Sequence, residues 1–307
     1  MKHVIIINPK AGVNNEPNKL KDVVEENFQG LDYEIYFTCG PKDATQYVKN
    51  YLSNYKDEVR FYSCGGDGTL NEIANGMVGY NNAQLACYPI GSGNDFIKYF
   101  GKIEDFLDFQ SLINGEAVVT DVLKFNERYV VNIFNVGLDA NVVVFQRKFK
   151  KIPLMNGKGA YNLGVVASLL RKISHKCKIK VDGEELYTGK MTLCAICNAK
   201  CYGGGYYCAP KAVVDDGLLD ICMVKKVSRL TFAKLVKDYK AGKHLDNPKF
   251  KPYILYKQGE VVEMEIEKPL YYSIDGETDK SNNIRIEIVQ KALTFVVPKI
   301  DKSNKIW

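Results

Sequence analysis

Phe61-Tyr62-Ser63-Cys64-Gly65-Gly66-Asp67-Gly68-Thr69-Leu70-Asn71-Glu72 sets three glycines, a carboxylate and a hydroxyl where a strand-like run gives way to a helix. Glycine allows a tight turn and a close backbone approach to a ligand. The helix that Leu70 begins, running to Gly76, offers unpaired N–H groups and a partial positive charge at its start. Such a junction suits a phosphate. Asp67 would repel one unless a cation bridges the two, so the segment predicts Mg²⁺ at Asp67. Thr69 and Asn71 are placed to donate hydrogen bonds.

The same alternation extends in both directions. Val4–Ile7, Tyr33–Phe37, Val59–Ser63 and Gln84–Ile90 read as strands, and Leu20–Phe28 and Ala44–Leu52 as helices, the latter opened by Asp43 as N-cap. Repeated strand–loop–helix units predict an open, mostly parallel α/β sheet. In such a sheet the loops Asn8-Pro9-Lys10-Ala11-Gly12 and Gly91-Ser92-Gly93-Asn94-Asp95-Phe96 share the edge beyond the strands' carboxyl ends with Gly65–Thr69, and ligands bind at that edge. Any one of the three could be a plain turn. Three at one edge predict nucleotide loops. Neither G-x-x-x-x-G-K-[ST] nor G-x-G-x-x-G occurs, which argues against a P-loop protein and a simple dinucleotide-binding dehydrogenase.

Past Asp121 the pattern turns β-rich. Residues 128–136, 178–181, 191–198, 218–224, 261–266, 271–274 and 284–289 read as strands, with helices at 160–173 and 230–239. Two domains follow, an α/β nucleotide-binding domain over 1–122 and a sandwich-like β domain over 123–307, the last segment a candidate to return to the first.

The 307 residues are 46% hydrophobic and 25% charged, with a net charge of +6, a mild excess that gives no case for nucleic acid. Nine cysteines without a disulfide framework fit a reducing compartment. Val4–Ile7 meets Asn8-Pro9 too soon for a signal-peptide core, and no apolar run approaches a bilayer span. The expected location is the cytoplasm, with peripheral contact to membrane.

The loops at Asn8–Gly12, Gly65–Glu72 and Gly91–Phe96, together with Tyr202-Gly203-Gly204-Gly205…Ala209-Pro210…Asp215-Asp216-Gly217-Leu218 and Ser273-Ile274-Asp275-Gly276-Glu277, resemble the diacylglycerol kinase catalytic-domain family, in particular its soluble bacterial lipid kinases. The resemblance spans nearly the whole chain. Gly-Gly-Asp-Gly-Thr also occurs in NAD kinases, but the ordered set of five does not. Ser92 stands where the family commonly has threonine, and a hydroxyl is kept.

The resemblance implies an NAD kinase/diacylglycerol kinase-like fold with ATP in the cleft between two domains. Asn8, Pro9, Lys10, Ala11, Gly12, Thr38, Gly65, Gly66, Asp67, Gly68, Thr69, Leu70, Asn71, Glu72, Ser92, Asn94 and Asp95 would bind nucleotide, and Asp275 or Glu277 would serve as general base. It also implies a structural Mg²⁺ at Asp216 with the carbonyls of Val213 and Leu218, linked through Asp215, Asp67, Asp95 and Asp121 to the active site. From the residues alone, Asp275-Gly276 could be a hairpin turn carrying solvated acids, and Asp215-Asp216-Gly217 only a turn.

The expected reaction is transfer of the γ-phosphate of ATP to diacylglycerol. Open alternatives are another lipid alcohol (a sphingoid base, monoacylglycerol or phosphatidylglycerol), an NAD kinase, or a nucleotide-binding regulator without catalysis. The expected partners are the lipid substrate and, transiently, the membrane surface, not nucleic acid; a homodimer stays open. Residues 147–151, with Leu154 and Met155, mix basic and apolar side chains and are the first candidate for membrane contact. Cys194, Cys197, Cys201 and Cys208 lack the spacing of a zinc site, since residues three apart on a strand point to opposite faces. His3, His175 and His244 lie outside every motif.

Overall fold

Short, β-branched, uninterrupted apolar runs make strands that can be buried on both faces, which a parallel sheet covered by helices requires. Val4–Ile7 is such a run and is buried, and Val59–Gly65 is buried throughout although it carries Arg60 and Ser63. The computed structural model describes residues 1–12, 16–149, 152 and 157–300. The chain divides into two units, Met1–Asp121 with the chain from Gln290 onward, and Val122–Val289.

The first unit alternates β1 (Lys2–Ile7), α1 (Glu16–Asn27), β2 (Tyr33–Phe37), α2 (Asp43–Asn54), β3 (Val59–Gly65), α3 (Asp67–Met77) and β4 (Ala83–Pro89), then adds α4 (Phe109–Ile113) and the start of β5 (Glu116–Phe125). Its strands pair in parallel in the order β2-β1-β3-β4. The chain leaves β1 toward one side of the sheet and β3 toward the other, so β1 and β3 flank a topological switch point. Phe28, Tyr62, Tyr88 and Phe109 form an aromatic cluster against one face. Arg60 is buried but satisfied: its guanidinium donates to Gln84 Oε1 and to the carbonyls of Leu112 and Ile113 at the end of α4.

The second unit contains β6 (Arg128–Val130), β7 (Ile133–Gly137), α5 (Leu138–Phe149), α6 (Gly157–Leu169), β8 (His175–Val181), β9 (Glu184–Cys197), β10 (Leu219–Lys225), α7 (Arg229–Lys240), β11 (Ile254–Gly259), β12 (Val261–Ile274) and the first part of β13 (Glu277–Val297). Pairing among β7 to β13 is antiparallel within this unit. The long strands β9 and β12 each pair with β8 along one half and with β7 along the other. Alternation along β9 sends Cys194 into one apolar core and Cys197 into another, the second covered by α7. Beyond Val289, β13 belongs to the first unit, where Phe295 pairs with Leu85 of β4 in parallel and Thr120 Oγ1 donates to the Leu293 carbonyl.

Several local expectations need correction. Asp43 is the first residue of α2 rather than its N-cap, which is Lys42 at φ 66°. The Asp43 carboxylate instead accepts the Cys39 N–H and the Tyr36 hydroxyl. The strands expected at 261–266 and 271–274 are one strand, β12, whose register shifts between Glu265 and Leu270; Pro269, unable to donate, interrupted the pattern. Helix α5 was not expected because Val142-Val143-Val144 is β-branched. Lys150, Lys151, Leu154 and Met155 of the candidate membrane segment lie outside the described residues. Among the described residues no helix is long and apolar enough to cross a membrane.

Candidate functional site

The switch point brings the first two loops together. Asn8 N–H, directly after β1, donates to the Cys64 carbonyl of β3 (3.0 Å), and Asn8 Nδ2 donates to Thr69 Oγ1 (3.0 Å). Having accepted from Asn8, Thr69 Oγ1 can direct its own proton elsewhere as a donor. Asn8 Oδ1 accepts the Lys10 N–H, which shapes the Asn8–Gly12 turn and leaves Pro9 and Lys10 exposed. Gly12 takes φ 79°.

The third loop lies against the second, backbone to backbone. The N–H groups of Ile90 and Gly91 both donate to the Gly65 carbonyl (3.0 Å each). A Cβ on Gly91 would lie 2.4 Å from Gly66 Cα and 2.8 Å from Asn94 Oδ1; one on Gly93 would lie 2.6 Å from Asp67 Oδ2. At such distances a side chain at either position would force its neighbours to shift, the backbone of Gly66 in the case of Gly91. Gly68, in the first turn of α3, has open space where a Cβ would be, so a ligand can approach its backbone. Asn94, at φ 51°, is buried; its Nδ2 donates to the Gly91 carbonyl, and its Oδ1 has no hydrogen-bond partner. Ser92 is exposed on the same loop.

Asp67 and Asp95 form the electrostatic centre. Asp67 Oδ1 accepts the Asp95 N–H at 2.6 Å. Burial, and next the Asp95 charge, push the Asp67 carboxyl up to about 6. Lys98 holds Asp95 in an ion pair of 2.6 Å and donates to the Gly93 carbonyl at 2.7 Å. A divalent cation would offset the burial and the like-charge repulsion that raise Asp67, and two carboxylates beside carbonyls and hydroxyls are the oxygen donors a hard ion takes. The residues present therefore fit such an ion.

Thr38 follows β2, buried, with its N–H on the Ile7 carbonyl. Leu70 and Asn71 are buried in α3. The Glu72 carboxylate accepts the Lys42 N–H (2.9 Å), tying α3 to the turn before α2. Asp121 Oδ1 accepts the Lys291 N–H (2.7 Å) where the chain re-enters the first unit.

The remaining candidates belong to the second unit. Asp275 and Gly276, both at positive φ (41° and 92°), are the two-residue turn between β12 and β13, with Ile274 paired to Glu277. This is the hairpin that Asp-Gly favours. Asp275 Oδ1 faces the Ile133 N–H at 3.4 Å, and the half-buried Glu277 accepts from Arg128 Nη2 at 2.6 Å. Asp215 and Asp216 are exposed; Asp216 Oδ1 accepts the Leu218 N–H (3.0 Å) across Gly217. Val213 is also exposed. Among the described residues no three His, Cys, Asp or Glu side chains converge on one point. An ion at Asp216 would therefore be held by few carboxylates and mostly by carbonyls and water. Cys197 and Cys208 approach to 3.5 Å in the core, and burial pushes the Cys197 thiol up.

Sequence reasoning missed Lys98, Arg128 and Lys42. Lys98 had a local signal, three residues after Asp95. Arg128 had none, because its partner lies 149 residues away.

Residues 2–125 match the diacylglycerol kinase catalytic domain, and residues 132–297 match the YegS C-terminal domain, described as NAD kinase beta sandwich-like. The chain is 30% identical to a protein of Shewanella frigidimarina named a probable YegS-like lipid kinase, over 96% of this chain and 93% of that protein. It is 27% identical to a protein of Bacillus subtilis named diacylglycerol kinase, over 89% of this chain and 88% of that one. A crystal structure from Bacillus anthracis, bearing the name of a diacylglycerol kinase, superposes with a TM-score of 0.75 at 26% identity, covering 97% of each chain. The chain belongs to the diacylglycerol kinase catalytic-domain family. It is a lipid kinase, of a class that uses ATP and usually a divalent metal.

Proposed function

We propose that the protein transfers the γ-phosphoryl group of ATP to the free hydroxyl of diacylglycerol, giving phosphatidic acid and ADP. The observation that carries this reading is the seam where Gly91 meets Gly66. Two glycine loops are pressed together beside the Asp67–Asp95 pair, at the carboxyl edge of a parallel sheet and next to its switch point. The acceptor is drawn from the Bacillus subtilis relative named diacylglycerol kinase. Relatives named only as lipid kinases support a second reading, phosphorylation of a different lipid alcohol at the same site.

In this proposal the N-terminal turn of α3 receives the phosphates. Backbone N–H groups around Gly68 and the Thr69 hydroxyl, oriented by Asn8, donate to phosphate oxygens. The Asn8–Gly12 turn, Thr38 and the Gly91–Asp95 loop complete the nucleotide site. Asp67 and Asp95 would hold Mg²⁺, which supplies charge neutralisation on the phosphates. Lys98 keeps the Asp95 carboxylate in place. A second Mg²⁺, with a structural role, would sit at Asp216 and the Val213 and Leu218 carbonyls, beside Asp215; its linkage with Asp121 is part of the same proposal.

The lipid oxygen forms a bond to phosphorus as the bond between phosphorus and the β–γ bridging oxygen breaks, and its proton must go to a base. Asp275 and Glu277 are the proposed acceptors; Arg128 orients Glu277. ATP consumption should be measured against a panel of lipid alcohols with NAD included, and the product identified by mass spectrometry. Phosphatidic acid is the expected product. Phosphorylation of NAD alone would overturn the reading.

A further inference from the structure

Helix α6 is built inside out. A surface helix of a water-soluble protein usually turns its large aliphatic side chains inward. Here Ala160, Gly164 and Ser168, at i, i+4 and i+8, are the buried positions. They let α6 lie close on α5: a Cβ on Gly164 would meet the Val142 carbonyl oxygen at 2.9 Å and the Gln146 nitrogen at 3.1 Å. Leu169 packs against the core under α7, but three large aliphatics lie outside, with Leu163 41%, Val166 54% and Leu170 77% exposed at i, i+3 and i+7 on one face. The corner that joins this face to α7 continues it. The Arg229 guanidinium donates to the carbonyls of Leu169 and Arg171, and the next residue, Leu230, is also 77% exposed.

The rim of this face is basic. Lys148 and Arg171 both lie over the Phe145 ring, at 5.7 and 5.0 Å from its centroid, and Arg147 and Lys172 are exposed beside them. Residues 140–181 hold ten lysines and arginines and no acidic residue, whereas the whole chain has a net charge of +6, so the rest of it is net acidic. The chain's positive charge is thus concentrated in the stretch of sequence that contains α6.

We propose that the outward face of α6 and the α6–α7 corner dock on an anionic lipid bilayer, with Leu163, Val166, Leu170 and Leu230 entering the headgroup boundary. The proposal rests on the lipid-kinase reading, though not on which lipid is the acceptor. Arginines and lysines that neutralise anionic headgroups around an aliphatic face are the chemistry of interfacial binding. A second copy of the chain is a poor occupant, because a two-fold contact would set this one-signed rim against itself. A bilayer with anionic lipid satisfies the charge and the aliphatic stripe together.

The test is flotation of the full chain with phosphatidylcholine vesicles, with and without phosphatidylglycerol, at low and high salt. The parent should bind the anionic vesicles more tightly than the neutral ones, and less at high salt. A double variant, Leu170→Ser with Leu230→Ser, should bind anionic vesicles at least about tenfold more weakly. Both leucines are exposed, so its melting temperature should equal the parent's. Anionic-vesicle binding within twofold of the parent's would overturn the proposal. So would a change of oligomeric state in the variant with vesicle binding intact, which would make the face a protein interface. Turnover of a short-chain diacylglycerol in detergent solution reports separately on the kinase reading. Its absence in the parent would count against that reading and leave the vesicle result to stand by itself.

Discussion

Asp67→Asn should stabilise the metal-free protein while abolishing its response to nucleotide. The Asp67 carboxyl is raised from 3.8 to about 6, by burial first and by the Asp95 charge second. A carboxyl raised on folding costs nothing below its unfolded value, begins to cost as pH passes about 4, and reaches its full cost above about 6. A shift of this size corresponds to about 3 kcal/mol at pH 7 and roughly half that at pH 5. Asparagine keeps an oxygen for the Asp95 N–H but carries no charge, so it recovers at most this amount. For a unit of this size that is an upward shift in melting temperature on the order of 5–10 °C at pH 7, vanishing near pH 4. Thermal melts from pH 4 to 8, with and without Mg²⁺ and ATP, would measure it. In the parent, Mg²⁺ with ATP should raise the melting temperature at pH 7 and lose that effect as pH falls below 6, because protons then compete for the carboxylate. In the variant the nucleotide-dependent rise should be absent. A variant no more stable than the parent at pH 7 without metal, or one that keeps the nucleotide-dependent rise, would refute the reasoning.

Four further outcomes are expected. Asp275→Asn or Glu277→Gln, at least one of them, should lower kcat by roughly 10²–10⁴-fold with ATP affinity nearly unchanged, measured by steady-state kinetics with nucleotide titration. Asp216→Ala should lower the melting temperature in the presence of Mg²⁺ and leave it unchanged in excess chelator, since a metal bound only by the folded chain stabilises it; equal melts in both conditions would remove the second metal site. Gly91→Ala should cost about 1–3 kcal/mol in denaturant unfolding and weaken ATP binding, because its Cβ would fall 2.4 Å from Gly66 Cα. In contrast, Gly68→Ala meets no atom within 4 Å and should unfold like the parent, while blocking the approach of a phosphate.

The local chemistry of the first unit was legible in the sequence because its causes are local. A run such as Val59–Gly65 that ends in Gly65-Gly66-Asp67-Gly68-Thr69 states a strand, a turn and a helix start within a dozen residues, and the family is carried by motifs of that length. The Asp275-Gly276 turn between two strands is of the same kind. Elements misread from sequence had local signals that pointed the other way: Pro269 inside β12, and the β-branched run in α5. The strand order that makes β1 and β3 neighbours at a switch point is set by pairing between distant residues, which no short motif encodes. The same holds for Gly91 against Gly66 and for Arg128 on Glu277. Burial, too, is a property of the whole fold. Composition gave Asp67 its charge, but only enclosure by the second loop raises its carboxyl, and only packing on α5 turned the aliphatic face of α6 outward.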